Sequence, residues 1–160
     1  MEAARLAAAS DVADVVRLGL AARDAALQQR GGALWLAQDG RGTLAPEVVE
    51  RLVADGRYAV VVGTIDSAVV GYAIADGTGS VAVIEELYVE AGAREVGVGE
   101  ALIDHLLAWA RRRGCTGIDG FALPGDRATK NLFERVGMVA RAIIVHKDLS
   151  TQASTDQGAS

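Results

Sequence analysis

Between Arg57 and Val89 the chain reads YAVVVGTI, SAVVGYAIA and VAVIEELYV, three runs rich in β-branched residues and separated by short polar turns. Branched side chains pack well on a pleated surface, so each run is expected to be a strand. The linkers are Asp66-Ser67 and Asp76-Gly77-Thr78-Gly79-Ser80. Neither is long enough for a parallel crossover, which leaves antiparallel neighbours as the arrangement of all three. The rest of the chain has to be built around that meander.

On both sides of it the apolar period becomes helical. A short strand is expected over residues 3–8. Ser10 then suits a helix N-cap, with Asp11 and Asp14 in the first turns and Val12, Val15, Val16, Leu18, Leu20 and Leu27 near helical spacing to about Gln29. The run GGALWLAQDGRG predicts a loop over residues 30–43, and LAPEVVERLVA, with Pro46 near its start, predicts a shorter helix over 44–54. Downstream, the turn REVGVG opens a helix expected to run through about Arg113. A strand CTGIDGFAL follows, then a helix DRATKNLFERVG closed by Gly137, then a last strand MVARAIIVHKDL. The tail STQASTDQGAS, residues 150–160, has no apolar period and is expected to be disordered. The sum over residues 1–149 is one α+β domain, a mixed and mostly antiparallel central sheet flanked by helices on both faces.

Composition narrows the function classes. A chain of 160 residues, 51% hydrophobic, is long enough to bury one ordinary core. A net charge of -5 argues against nucleic acid or an anionic membrane surface as the partner. Cys115 is the single cysteine, His105 and His146 stand apart, and no set of residues has metal-ligand spacing, so no metal is expected. No apolar stretch reaches the roughly 18 to 20 residues of a membrane span, and Glu2, Asp11 and Asp14 occupy the place of a targeting segment's basic start and apolar run. A cytoplasmic location is expected.

The turn Arg94-Glu95-Val96-Gly97-Val98-Gly99 carries the functional signal. Amides at a helix N-terminus lack intrahelical partners, and glycines let an anion approach them. The stretch lacks the third glycine of a dinucleotide fingerprint and the Gly-Lys-Ser/Thr ending of a P-loop. In its context, between the strand VAVIEELYV and an apolar-faced helix, Arg94, Gly97 and Gly99 match the Arg/Gln-x-x-Gly-x-Gly/Ala signature, and here the chain resembles the GNAT superfamily of acyl-CoA-dependent N-acetyltransferases. The likeness extends to ARLAAASDVADVVRL at the start and ATKNLFERVGMVARAIIVHKDL at the end.

That resemblance implies acetyl-CoA as co-substrate. The amides of Val96, Gly97, Val98, Gly99 and Glu100, in the turn begun by Arg94 and Glu95, would hold its pyrophosphate. Main-chain groups of Leu87 and Val89, with Tyr88 between them, would pair with pantetheine as an added strand does. Asn131 would reach CoA from the closing helix, and the Val89 N–H would stabilise the oxyanion. Where many members carry a tyrosine that protonates the leaving thiolate, this chain has Phe133, which has no proton to give.

The amine acceptor must be neutral to attack. For a lysine-like amine of pKa about 10.4, that costs about 4 to 5 kcal/mol at pH 7. Glu85 and Glu86 are the candidate bases, one of them acting through water; strand alternation places them on opposite faces, so one is expected to look into the cleft. The alternative function is a catalytically silent acyl-CoA-binding or sensing domain. The acceptor, a small-molecule amine or a protein or peptide amine, would meet residues 28–43, including Trp35, and residues 141–146. A monomer or a homodimer fits, the run AIIV being the only feature in favour of the latter.

Overall fold

The structure, a computed structural model, describes residues 1–150. The three β-branched runs form β2 (Tyr58–Ile65), β3 (Ala68–Asp76) and β4 (Val81–Val89), each antiparallel to the next. Asp66 and Ser67 both take positive φ, 47° and 74°, the backbone of a tight hairpin turn whose twist matches its strands. β1 (Glu2–Leu6) adds to β2 antiparallel and β5 (Gly117–Asp119) to β4 in parallel, giving a five-stranded sheet in the order β1-β2-β3-β4-β5. This is the mixed, mostly antiparallel sheet that the sequence predicts.

Helices cover both faces. On one, α1 (Val12–Leu27) and α3 (Pro46–Ala54) pack Val15, Leu18, Val49 and Leu52 against Val60, Val62, Tyr72 and Ile74. On the other, α4 (Val98–Arg112) packs Val98, Leu102, Ile103 and Leu106 against Val61, Ala73, Ala75 and Ile84, and α5 (Arg127–Arg135) adds Leu132 and Phe133. Central strands covered twice have no use for polar alternation, and Ala59 to Val62 are all buried.

Two expectations are corrected. Residues 30–43 are not all loop: α2 (Gly32–Gln38) occupies them in part. The Gly31-Gly32 pair, which reads as a helix breaker, is a corner between two helices; Gly31 has φ of 79°, and a side chain on Gly32 would run into the Ala26 carbonyl. The last strand is the second. Residues 139–149 form no ladder among the described residues, and Ile143, Ile144 and Val145 are exposed. An added strand needs an edge to pair with and cover for its apolar side chains. β5 is three residues long, no helix among the described residues buries this segment, and the ion pair Arg141–Asp119 ties it to the sheet. The expected disordered tail falls, from residue 151 onward, outside the described residues.

Candidate active site

The parallel pairing of β5 with β4 stops early. It joins Val81, Ala82 and Val83 to Gly117, Ile118 and Asp119, and beyond that the two strands part. From Ile84 to Val89, β4 keeps β3 on one side and opens on the other into a cleft of about 370 Å³. Phe121, Leu123, Leu132 and Phe133 form the opposite wall; α1 and Trp35 close one end, and Arg94 and Arg135 stand at the other.

Register decides which main-chain groups face that cleft. The Glu90 N–H donates to the Val70 carbonyl at 2.9 Å, so in an antiparallel ladder the pairs Tyr88–Tyr72 and Glu86–Ile74 exchange hydrogen bonds as well. Leu87 and Val89 therefore turn their N–H and C=O groups away from β3, to the open side. The Val89 carbonyl accepts from Arg94 Nε at 3.0 Å, as that direction requires. An extended ligand laid along this edge meets a strand ready to be augmented.

A bulge governs the two carboxylates. Ile74 pairs with Glu86 and Ala75 with Ile84, which leaves Glu85 as the extra residue on β4. Before it, Ala82 and Ile84 face α4; after it, Leu87 and Val89 do, while Glu86 turns toward Tyr72 on the α1 side. The expectation that Glu85 and Glu86 lie on opposite faces is thus corrected: the extra residue shifts the parity, and one guanidinium, that of Arg41, contacts both. Their surroundings differ. Glu86 is buried, with Oε1 accepting from Tyr72 at 2.7 Å and Arg23 at 3.0 Å, and Oε2 accepting from Arg41 at 3.3 Å. Glu85 is half-buried, its Oε2 accepting from Arg41, and among the described residues nothing hydrogen-bonds to its Oε1.

At the far end of the cleft, Gly97 caps α4 with φ of 89°, a left-handed conformation that side chains resist. Among the described residues, the N–H groups from Glu95 to Glu100 take no backbone acceptor. Glu95 and Val96 are exposed, whereas the Val98 side chain is fully buried beneath the sheet and offers only its amide. Arg94 lies over the Tyr88 ring at 5.8 Å, and Asn131 is exposed at the outer mouth with Arg94, Glu95, Ala128 and Arg135. Glu100 accepts from Arg135 Nε at 2.7 Å, which ties the first turn of α4 to α5.

Gly99 has a different task from Gly97. A Cβ built on it would stand 2.7 Å from Leu132 Cδ2, so α5 reaches its seat only because position 99 is bare. Gly99→Val is expected to cost about 1–3 kcal/mol by overpacking, and, by pushing out the helix that carries Phe133, to weaken CoA binding as well. Thermal melts and calorimetry check the two effects. A Leu132→Ala change added to Gly99→Val should recover part of both, and equal losses with and without it would refute the contact as the cause.

Phe133 lines the cleft among core residues, and a Cβ on Gly120 would meet its ring at 2.7 Å. Asp126 lines the cleft but caps α5, accepting from the Thr129 N–H at 3.1 Å and hydroxyl at 2.7 Å. Trp35 stacks against Phe121 with centroids 5.0 Å apart, joining α2 to the wall beyond β5. Other residues noted in the sequence lie elsewhere. Arg113 holds the carbonyls of Gly56 and Gly77 and covers Trp109. His105 is outside the cleft, its buried Nε2 without a hydrogen-bond partner among the described residues and its basicity lowered by burial. Cys115 sits at the end of α4, and His146 in the exposed final segment. The sequence reading missed Arg23, Tyr72 and Phe121, and covered Arg41 only within the stretch 28–43. No motif marks them, and only Tyr72, a tyrosine within an otherwise apolar central strand, carries a signal, since a buried phenol needs a partner.

No curated protein sequence matches. Among solved structures, the tetramutant of the BH1408 protein from Bacillus halodurans shares 18% identity at a TM-score of 0.75, covering 91% of this chain and 99% of that one. AAC(6')-Iy, solved with the bisubstrate analogue CoA-S-monomethyl-acetylneamine, shares 19% at 0.66, covering 92% and 99%. A ribosomal-protein-alanine N-acetyltransferase from Brucella melitensis biovar Abortus 2308 shares 21% at 0.65, covering 92% and 97%. At such identities the likeness is one of fold. The family model described as the acetyltransferase (GNAT) family matches residues 26–138, which include β4, the glycine turn and α5, and the chain belongs to that family.

Proposed function

We propose that this chain transfers an acetyl group from acetyl-CoA to an amine by direct attack in the cleft between β4 and α5. The observation that carries this reading is the open edge of β4, where Leu87 and Val89 face the cleft and lead to the unpartnered amides before α4. In this reading the pantetheine arm pairs with Leu87 and Val89, beside Tyr88. The pyrophosphate meets the amides of Val96, Gly97, Val98, Gly99 and Glu100, with Arg94, Glu95 and Asn131 around it.

The amine nitrogen attacks the thioester carbon, the C–S bond breaks and an amide forms. The charge that develops on the carbonyl oxygen is stabilised by the Val89 N–H. Of the two glutamates, Glu85 is the base: it keeps a free oxygen, whereas both oxygens of Glu86 are taken. The amine's proton passes to Glu85 through a water. The CoA sulfur leaves as thiolate, and with a thiol pKa like that of cysteine, about 8.5, it collects its proton from solvent while Phe133 packs beside it.

The acceptor is a small-molecule or a protein amine; the neighbours named above include one solved with an acetylneamine analogue and one named for ribosomal-protein alanine. No helix among the described residues is long and apolar enough to cross a membrane, and we place the protein in the cytoplasm, as a monomer or homodimer. A second reading rests on Phe133, a cleft-lining residue without a proton at the place of the family's acid: a domain that binds acyl-CoA without turning it over. Free-thiol release from acetyl-CoA over a panel of amines separates the two. Transfer predicts acceptor-dependent release, the silent domain predicts tight binding without release, and failure of acetyl-CoA to raise the melting temperature would overturn both.

A further inference from the structure

The two glutamates that line the cleft share a cation. Arg41 comes from the link between α2 and α3, lies over the Tyr58 ring at 5.5 Å, and reaches both Glu85 and Glu86. Its backbone is fixed from below: Arg23 Nη2 holds the carbonyls of Arg41 and Gly42 at 3.0 and 2.6 Å while its Nη1 pairs with Glu86. Two carboxylates therefore face two guanidiniums, and the group sums to zero charge. Asp126, the other carboxylate lining the cleft, stands apart from this group at the start of α5, where it accepts from Thr129. Within this cluster a second ammonium group would find no carboxylate without a cation partner. Beside the cluster, Trp35 and Phe121 offer an apolar aromatic wall.

We propose that Arg41 determines acceptor class: by cancelling the Glu85–Glu86 pair it makes the site one for a monoamine carried on an apolar or aromatic body, and disfavours polycationic amines. The inference rests on the acetyl-transfer reading for its meaning, but its test reads binding, which does not depend on turnover. Arg41 acts through the glutamates and is a specificity residue, not a catalytic one. Desolvating a second ammonium beside an already neutral cluster gains nothing to offset its lost hydration, whereas a carboxylate left without its cation attracts it.

The experiment measures binding of phenethylamine and of spermine to the CoA-loaded protein by calorimetry, for the wild type, Arg41→Gln and Arg41→Lys. Wild type is expected to bind phenethylamine more tightly. Arg41→Gln should bind spermine about tenfold or more better than wild type does, because one uncompensated charge near a protein surface outweighs thermal energy several-fold. That gain should shrink with added salt, and Arg41→Lys, which restores the charge, should keep the wild-type order. A merely structural role for Arg41 would weaken both amines alike. Wild type preferring spermine, a ratio unchanged in Arg41→Gln, or binding of neither amine overturns the proposal. The expected order of binding without thiol release from acetyl-CoA would uphold it and overturn the transfer reading instead.

Discussion

Glu85→Gln is expected to lower kcat by about 10²–10⁴-fold, the usual contribution of a positioned general base, while leaving the melting temperature and acetyl-CoA affinity close to wild type. The reasoning starts from the bulge. An extra residue in β4 lifts Glu85 out of the ladder and leaves it half-buried, with one oxygen on Arg41 and the other free. Glutamine keeps the shape and a hydrogen bond to Arg41 but takes no proton at neutral pH. The defect should also fade with rising pH, because an acceptor whose pKa is near 10.4 becomes neutral without help. A full pH–rate profile, with CoA release followed as free thiol, gives the answer. An unchanged kcat at neutral pH, or a deficit that stays constant up to the acceptor's own pKa, would remove Glu85 from the mechanism.

What the sequence discloses here follows from how local each feature is. The meander is legible because β-branched runs and two- and five-residue linkers admit one arrangement, and the glycine turn because its task, free amides at a helix start, is performed by adjacent residues. The bulge is not: VAVIEELYV reads equally well as an unbroken strand, and only pairing with β3 shows that Glu85 has no partner. The α2 helix is hidden because two glycines look like a break when they serve as a corner, the second fitting where a side chain would meet the Ala26 carbonyl. Residues 139–149 fail in the opposite sense: their composition favours a strand, but β-propensity expresses packing on a neighbour, and β5 supplies three residues of edge. Arg23 and Arg41 are the least legible. Their role exists only once two helices and a loop are folded over β4, and a lone arginine in a chain with 16 basic residues announces nothing.

The neighbouring glutamate should fail in another way. Glu86→Ala is expected to cost about 3–5 kcal/mol of stability, as for other buried ion pairs broken on one side, and to lower the melting temperature by roughly 6–20 °C. The Glu86 side chain is 4% exposed and that of Arg23 12%, so the change strands a guanidinium with little water to receive it, and leaves the fully buried Tyr72 hydroxyl without its acceptor. Arg23 Nε has no partner among the described residues, and the change removes the acceptor that Arg23 Nη1 and the Tyr72 hydroxyl share. Adding Tyr72→Phe to Glu86→Ala should then cost less than Tyr72→Phe does alone, since the hydroxyl it removes is by that point an orphan. Urea or thermal unfolding of the four proteins supplies the cycle. The two glutamates thus separate by readout, one in turnover and the other in the melt. If Glu86→Ala melts within a degree or two of wild type yet loses turnover, the roles are reversed: Glu86 would be the base, and the hydrogen bonds that fill its oxygens in this structure would have to open before it could act.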